Sequence, residues 1–353
     1  MKIKYAHVGL GNFSLQRLKI NLDHEIFTPV AYIDINPKKK KEISDLINEK
    51  NFFTSITEAK KHIDFDACII HASADVHCEL VIESLQNNLH TFCVKPIAFD
   101  IEEFKKIIKI KISKPNLLLV QGQNNQWNEA SIKMRSIIKD EALFGEFLNG
   151  HCLMWGMQDL SALKKNPDID KDGMFFHSMG CHQLSQLVSC LGLPKYVTSI
   201  SQRNFVYDTG YRNIRTSYGN CLLEYHDGSV FSYVGNRGGH GNPFGFASRW
   251  SGNWIFHGTK SDLIRNGGRI TVYSKGKIIR DLFLKDLDDG LYEDDKQQLR
   301  EFGLSIKNKT PKIQKNSLET WLLMEACNIS SRENQKINLN QIKQEVDMDK
   351  IIA

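Results

Sequence analysis

Three groups of residues in this chain of 353 have types and spacing suited to chemistry. The first is Gly9-Leu10-Gly11-Asn12-Phe13-Ser14, where two glycines end a short apolar run and a helix-like pattern begins. A strand, a glycine turn and a helix in that order present backbone N–H groups and a helix N-terminus to a pyrophosphate. Gly9 permits the tight turn, Gly11 lets phosphates approach the backbone, and Ser14 stands where the dinucleotide fingerprint has a third glycine. The second is Asp34, twenty positions beyond Ser14 at the end of another apolar run. A carboxylate at that distance accepts hydrogen bonds from an adenosine ribose. It also repels a 2′-phosphate, and Ile35 and Asn36 offer no cation in exchange, so the cofactor expected is NAD, with NADP less favoured. A plain turn acid remains the alternative, because Asn36-Pro37 is a turn signal by itself. The third is Lys95-Pro96, which closes the run 91–94. A lysine there can hydrogen-bond a substrate hydroxyl and share its proton or hold its geometry; a strand-end lysine reaching water is the competing reading.

The elements that must position these residues alternate through the first third. Residues 3–8, 28–34, 67–71, 91–94 and 117–121 read as strands, several of them continuous apolar runs of the kind covered on both faces. Segments 38–49, 56–62, 75–86 and 101–112 read as helices between them. Repeated βα units imply a doubly wound parallel sheet with ligands at the carboxyl ends of its strands. From residue 122 the pattern changes. A helix is expected over 122–140, then strand-like segments over 147–154, 196–204, 212–225, 229–236 and 248–257, with Asp227-Gly228 as a hairpin signal. The exception is 174–191, an apolar helix. The expected fold class is therefore α/β: an N-terminal Rossmann doubly wound sheet over 1–122, then a C-terminal α+β domain over 123–353 with a large, mainly antiparallel sheet.

The pieces Gly9-Leu10-Gly11-Asn12, Asp34, His77 within 72–77, and Cys93-Val94-Lys95-Pro96 resemble, in order and spacing, the Gfo/Idh/MocA oxidoreductases. Further similarity lies at 145–147, 172–182, 254–260 and 318–332. The resemblance implies a cofactor site of Gly9, Gly11, Asn12, Phe13, Asp34, Ser73, His77, Lys95 and Pro96. It also implies a helix with an acid and a histidine four positions apart, on one face. Here those positions are Ser178 and His182: the histidine that would relay a hydroxyl proton is present, and the acid is replaced by a serine able only to hydrogen-bond. Val94 likewise stands where the family usually has a glutamate. His177, beside Ser178, falls off the Ser178–His182 face of a regular helix and joins it only if the helix is irregular. His182 has an alternative as a core histidine bonded to a carbonyl.

Other polar features carry weaker expectations. Residues 237–243 form a glycine-rich loop in which Arg237 or His240 could meet substrate as a lid. Asn124, Asn125 and Gln126 are candidate contacts to substrate or nicotinamide ribose, with interdomain polarity as the plain alternative. Trp155, Phe175, Phe176 and Trp254 read as core aromatics. No metal site is expected, since His177, Cys181 and His182 lack identifiable co-ligands.

Composition narrows the class. Apolar residues make up 41% of the chain and charged residues 25%, ordinary for a globular protein, and the net charge of +5 is dispersed. The run Lys38–Lys41 reads as a solvated helix face, so no nucleic-acid partner is expected. No apolar run reaches the ~20 residues that span a bilayer. With an apolar, strand-like run at its start, no signal peptide is expected. Eight scattered cysteines without a CxxC pair suit buried thiols in a reducing compartment, so the expected location is cytoplasmic. Together these features lead to a dehydrogenase moving hydride between nicotinamide and a hydroxyl-bearing carbon of a sugar, polyol or sugar derivative. It is expected to work as a homodimer or homotetramer. Two rivals remain: a glycosidase that uses NAD for transient oxidation, and a silent regulatory protein that binds NAD or a sugar.

Overall fold

The structure is a computed structural model that describes residues 1–46, 48–157, 175–201, 218–239, 251–286 and 292–352. These fall into two compact units. The first comprises residues 1–123, 295–318 and 343–353, and the second comprises 124–294 and 319–342.

The first unit is built on six strands: β1 Ile3–Val8, β2 Phe27–Ile33, β3 Phe52–Phe53, β4 Ala67–Ile70, β5 His90–Val94 and β6 Leu119–Gly122. They run in the order β3-β2-β1-β4-β5-β6, every neighbouring pair parallel. All four residues of β4 and of β6 are buried, as their unbroken apolar runs require. The order reverses between β1 and β4, and in such a sheet ligands bind outside the strand ends at that switch point. Helices α1 Asn12–Asn21, α2 Lys38–Glu42, α3 Ile56–His62, α4 His77–Gln86 and α5 Ile101–Ser113 supply the crossovers. The expected helix over 38–49 is cut to five residues. Its lysines bury nothing, while Ile43 turns inward to join Leu10, Leu18 and Tyr32 in a buried cluster.

The edge strand β6 does not expose its outer amides. Leu119, Gln121 and Gln123 donate them, at alternate positions, to Gln314 Oε1 at 2.9 Å, Ser317 Oγ at 3.2 Å and Gln298 Oε1. These acceptors come from the segment 295–318, which also stacks Phe302 on Phe27 with centroids 5.8 Å apart. An edge capped in this way is protected from pairing with another chain.

The second unit holds a sheet of nine strands among the described residues. They are β7 Phe147–Met157, β8 Tyr196–Ser201, β9 Tyr218–Glu224, β10 Val230–Gly239, β11 Asn253–Gly258, β12 Asp262–Asn266, β13 Arg269–Ser274, β14 Lys277–Phe283 and β15 Ile337–Asn338. Only β7 and β10 pair in parallel among the described residues; the other pairs are antiparallel, as expected. The β9–β10 hairpin turns at Asp227-Gly228, where Asp227 Oδ1 accepts from the Ser229 amide at 2.9 Å. Strands β12 to β14 were not legible in the sequence: β14 is almost wholly exposed, and β12 buries a charged residue, Arg265. The helix expected over 122–140 is a short 3-10 turn, Asn124–Trp127, followed by α6 Glu129–Ile138. The break falls at Asn128, whose side chain caps α6 through the Ser131 amide at 2.8 Å. Helix α7 Cys181–Leu191 follows a π-turn over Phe176–Gly180. Two long helices, α8 Glu293–Asn308 and α9 Lys312–Glu333, lie near the end of the chain.

Candidate active site

In the first unit the glycine turn joins β1 to α1. Gly9 has φ +87°, and a Cβ on it would lie 2.7–2.8 Å from Ala72 N, Ala72 Cα and His71 O. Both its conformation and its neighbours therefore require glycine. Gly11 is the opposite case: a Cβ there would meet nothing within 4 Å. It is the N-cap of α1, with no side-chain cap and no acid in the first turn. This open, uncapped helix start suits an anionic group such as the pyrophosphate of a dinucleotide. Asn12 begins the helix, and Phe13 is 52% exposed with the Arg17 guanidinium 3.9 Å from its ring centre.

Ser14 does more than a third glycine could. Its hydroxyl donates to the Gly9 carbonyl and lies 2.7 Å from His7 Nε2. Since the hydroxyl proton goes to Gly9, His7 is the donor in the second bond, which assigns its Nε2–H tautomer. His7 stacks on His71 with centroids 5.2 Å apart. Burial lowers the His7 pKa to about 3, against the Ser14 bond, and burial also carries His71 well below the usual histidine range. Both rings are thus neutral at physiological pH. The sequence placed His7 inside an apolar run, and that misfit was the available signal for its role.

Asp34 ends β2 beside this turn. Its Oδ2 accepts from the Leu10 amide at 2.8 Å and its Oδ1 from the Asn36 amide at 2.9 Å. The carboxylate therefore performs the turn role and also stands against the glycine loop. An ionised carboxylate has about four lone-pair sites, so two remain for ribose hydroxyls.

Lys95 follows β5 and is half-buried. The residues after it are fixed from two sides. Pro96 O lies 2.8 Å from His77 Nδ1, and the Ile97 amide donates to Gln121 Oε1 at 3.0 Å. His77 Nε2 lies 3.0 Å from Ala72 O. A neutral imidazole donates from one nitrogen only, to Pro96 O or to Ala72 O, and either bond ties His77 to the loops that carry Lys95 and Ser73. Burial lowers its pKa, opposed by the two carbonyls and reinforced by the Lys95 charge. Ser73 caps the 3-10 turn Ala74–Val76 without a side-chain hydrogen bond.

In the second unit, Ser178 lies within the π-turn, its Oγ 3.5 Å from Phe175 O. His182 is the second residue of α7 and half-buried. Its carbonyl accepts from Ser185 Oγ at 3.1 Å and Gln186 Nε2 at 3.0 Å. Gln186 Oε1 in turn accepts from Ser131 Oγ and Arg265 Nη1, each at 2.8 Å, so a buried network anchors the helix. The irregular helix that His177 needed is present. His177 is buried and its Nε2 lies 3.0 Å from Glu325 Oε2, a partner that nothing in the sequence pattern indicated.

The weaker expectations divide. Phe175, Phe176 and Trp254 are core residues and Trp155 is half-buried. Asn124 donates to Asp294 Oδ2 at 2.7 Å, and Asn125 and Gln126 are buried and not the exposed polar residues of the plain alternative. Of the glycine-rich loop, residues 240–243 lie outside the described residues, as does the side chain of Arg237. Among the described residues no three His, Cys, Asp or Glu side chains group as a metal site, and no helix is long and apolar enough to cross a membrane.

Comparison with known proteins agrees with this geometry. Residues 3–121 match the family model GFO_IDH_MocA, described as an oxidoreductase family with a NAD-binding Rossmann fold. An uncharacterised oxidoreductase of Schizosaccharomyces pombe is 27% identical over 149 residues, 42% of this chain. The match spans only 40% of that relative's length. An Agrobacterium radiobacter oxidoreductase, solved with NAD+, L-tartaric acid and magnesium, superposes with a TM-score of 0.83 at 16% identity. That alignment covers 97% of this chain and 100% of the other. Scyllo-inositol dehydrogenase of Lactobacillus casei, solved with NAD(H) and scyllo-inositol, gives 0.76 at 17% identity, over 96% and 100%. The stretch that carries the glycine turn, Asp34 and the parallel sheet is thus the part of the chain that matches the NAD-binding Rossmann fold of the Gfo/Idh/MocA oxidoreductase family.

Proposed function

We propose that this protein is a dehydrogenase that uses NAD, in preference to NADP, to oxidise or reduce a CH–OH group of a sugar, polyol or sugar derivative. The observation that carries the reading is Lys95: a half-buried amine at the carboxyl end of β5, its turn clamped by His77 and Gln121, in the sheet that bears the glycine turn and Asp34. Bound NAD supplies the nicotinamide that takes up or returns hydride. The backbone from Gly9 to Phe13 holds the pyrophosphate and Asp34 the ribose diol, where its charge disfavours a 2′-phosphate. Ser73 and the Lys95-Pro96 turn border the rest of the cofactor.

Lys95 donates to the substrate hydroxyl and fixes it, and His182 accepts the hydroxyl proton as hydride leaves. Ser178 hydrogen-bonds the substrate. Two structural neighbours were solved with a nicotinamide cofactor and a polyhydroxylated molecule, which supports the substrate class. The eight buried thiols support a reducing compartment, the cytoplasm. Exposed Leu148, Ile200 and Leu222 on the large sheet support a homodimer or homotetramer formed through that face.

A panel of polyols and sugars with NAD, followed by NADH absorbance, tests the reading. At least one substrate is expected to turn over, and Lys95→Ala to lower kcat by roughly a hundredfold or more. A silent panel, with NAD still raising Tm, would favour a regulatory binder. Cleavage of an aryl glycoside without net NADH would favour a glycosidase.

A further inference from the structure

One polar side chain at the carboxyl end of the parallel sheet has no task in the proposed chemistry. His71 follows β4 directly, where the strand order reverses, and its amide donates to the Val8 carbonyl at 2.8 Å. Its own carbonyl is one of the groups that crowd Gly9, so the residue lies against the glycine turn. His71 is 8% exposed. Its ring stacks on His7 at 20°, has Phe92 at a centroid distance of 6.4 Å, and meets Phe13, the exposed residue of the turn, at 6.1 Å. These neighbouring rings limit its rotation. Burial first, and then the nearby His7, Arg17 and His77, hold its pKa well below the usual histidine range, so the ring is neutral.

A neutral imidazole carries one proton, and its surroundings decide where. Nδ1 of His71 is sealed from solvent and has no partner among the described residues. A buried donor without an acceptor is the rarer kind of orphan in folded proteins, so the proton belongs on Nε2. Nε2 is not sealed and bonds no protein group among the described residues. An N–H donor is therefore left open beside the glycine turn. Asp34 follows β2, on one side of β1, and His71 follows β4, on the other. A dinucleotide with its adenosine ribose at Asp34 and its pyrophosphate at the turn carries its second nucleotide across β4. We propose that His71 is a cofactor-binding residue for that second half: its Nε2–H donates to an oxygen of the nicotinamide nucleotide, beyond the adenosine phosphate. His7 and Phe13 hold the imidazole in place for this contact.

The contact rests on the NAD reading above, and binding alone tests it. Calorimetry on the full chain compares NAD, ADP-ribose and AMP, for the parent and for His71→Phe, which keeps an aromatic ring beside His7 but has no donor. NAD affinity is expected to fall about tenfold in His71→Phe, the size of one hydrogen bond to a strong acceptor, while AMP affinity stays within about twofold. His71→Gln, which keeps an N–H, is expected to recover part of the loss. A loss shared by NAD and ADP-ribose supports the contact and puts the acceptor on the diphosphate or the second ribose. A loss with NAD alone supports it and puts the acceptor on the carboxamide. An unchanged NAD affinity means that the donor meets only water, and overturns the contact. Equal losses of NAD and AMP mean that the substitution deforms the turn, and overturn it as well. Should His71→Phe not fold, His71→Leu carries the same comparison with the same expected direction. A parent that binds none of the three nucleotides overturns the cofactor reading, and the contact with it, before any variant is compared.

Discussion

The glycine turn of the first unit and the histidine helix of the second hold their polar residues by opposite means. At the turn, Gly9, Ser14 and His7 lie within eight positions of one another, and Asp34 reaches back to Leu10 across a single βα unit. At the helix, His177 depends on Glu325, 148 positions away. A site assembled from local contacts leaves its pattern in the sequence. One assembled by a π-turn and a distant carboxylate leaves isolated residues that look unremarkable. The two regions should also break differently, the first through backbone geometry and the second through charge.

The largest expected effect is at Gly9. Alanine there meets a left-handed φ and backbone atoms closer than 3 Å. Each of these costs about 1–3 kcal/mol, so Gly9→Ala should lose about 3 kcal/mol or more in urea unfolding. NAD binding by calorimetry should fall with it, because the turn that would hold the pyrophosphate cannot keep its shape. Gly11→Ala is the internal control: its Cβ enters open space, so stability should hardly change while NAD affinity drops. If both substitutions were equally mild for stability, the turn would not be the rigid element described.

How much was legible follows from the same contrast. Five of the six parallel strands appeared as apolar runs because burial on both faces leaves no alternative pattern, while the two-residue β3, Phe52–Phe53, was too short to show one. The glycine turn and Asp34 were found because their spacing is set by one βα unit. Ser14 was seen only as a spacer, since its bond to His7 depends on strand-to-helix packing that spacing does not encode. The segment 295–318, whose side chains cap β6, gave no sign of joining the first unit, because a hydrogen bond from Gln314 to Leu119 has no local signature. His77 was expected at the cofactor, and the closeness of its ring to the Pro96 and Ala72 carbonyls is a contact that spacing does not encode. Strand β14 was missed because an exposed strand of Lys, Arg and Asp among isoleucines reads as a polar connection. The need for an irregular helix at His177 was legible; the irregularity itself was not.

The second expected effect is an acid dependence carried by His7. Its folded pKa, near 3, lies below the ordinary histidine value of 6.5. The unfolded chain therefore binds the extra proton, and stability rises with pH across that interval. The His7 contribution is complete above about pH 6.5 and is lost as pH falls toward 3. Between pH 6.5 and 5 it amounts to about 1.5 kcal/mol. His7→Asn retains a donor for Ser14 but does not titrate there, so its urea midpoint should fall less than the parent's over this interval. His71 adds a contribution of the same sign. An acid limb unchanged in His7→Asn would show that the stacked histidines do not govern the turn.

The smallest expected effect concerns Ser178, and it separates the two regions most sharply. A regular helix would put residues 178 and 182 on one face, and Ser178→Asp would then return an acid beside His182 and raise its basicity. The π-turn ends at Gly180, and Ser178 and His182 are the two half-buried positions between 175 and 190, with Ser178 Oγ 3.5 Å from the Phe175 carbonyl. Its half-buried position tolerates a polar replacement better than the buried positions on either side of it. Ser178→Asp should therefore raise the pH midpoint of His182 in imidazole 15N spectra by about half a unit and shift KM through the substrate hydrogen bond assigned to Ser178. An unmoved midpoint would show that residues 178 and 182 do not share a face.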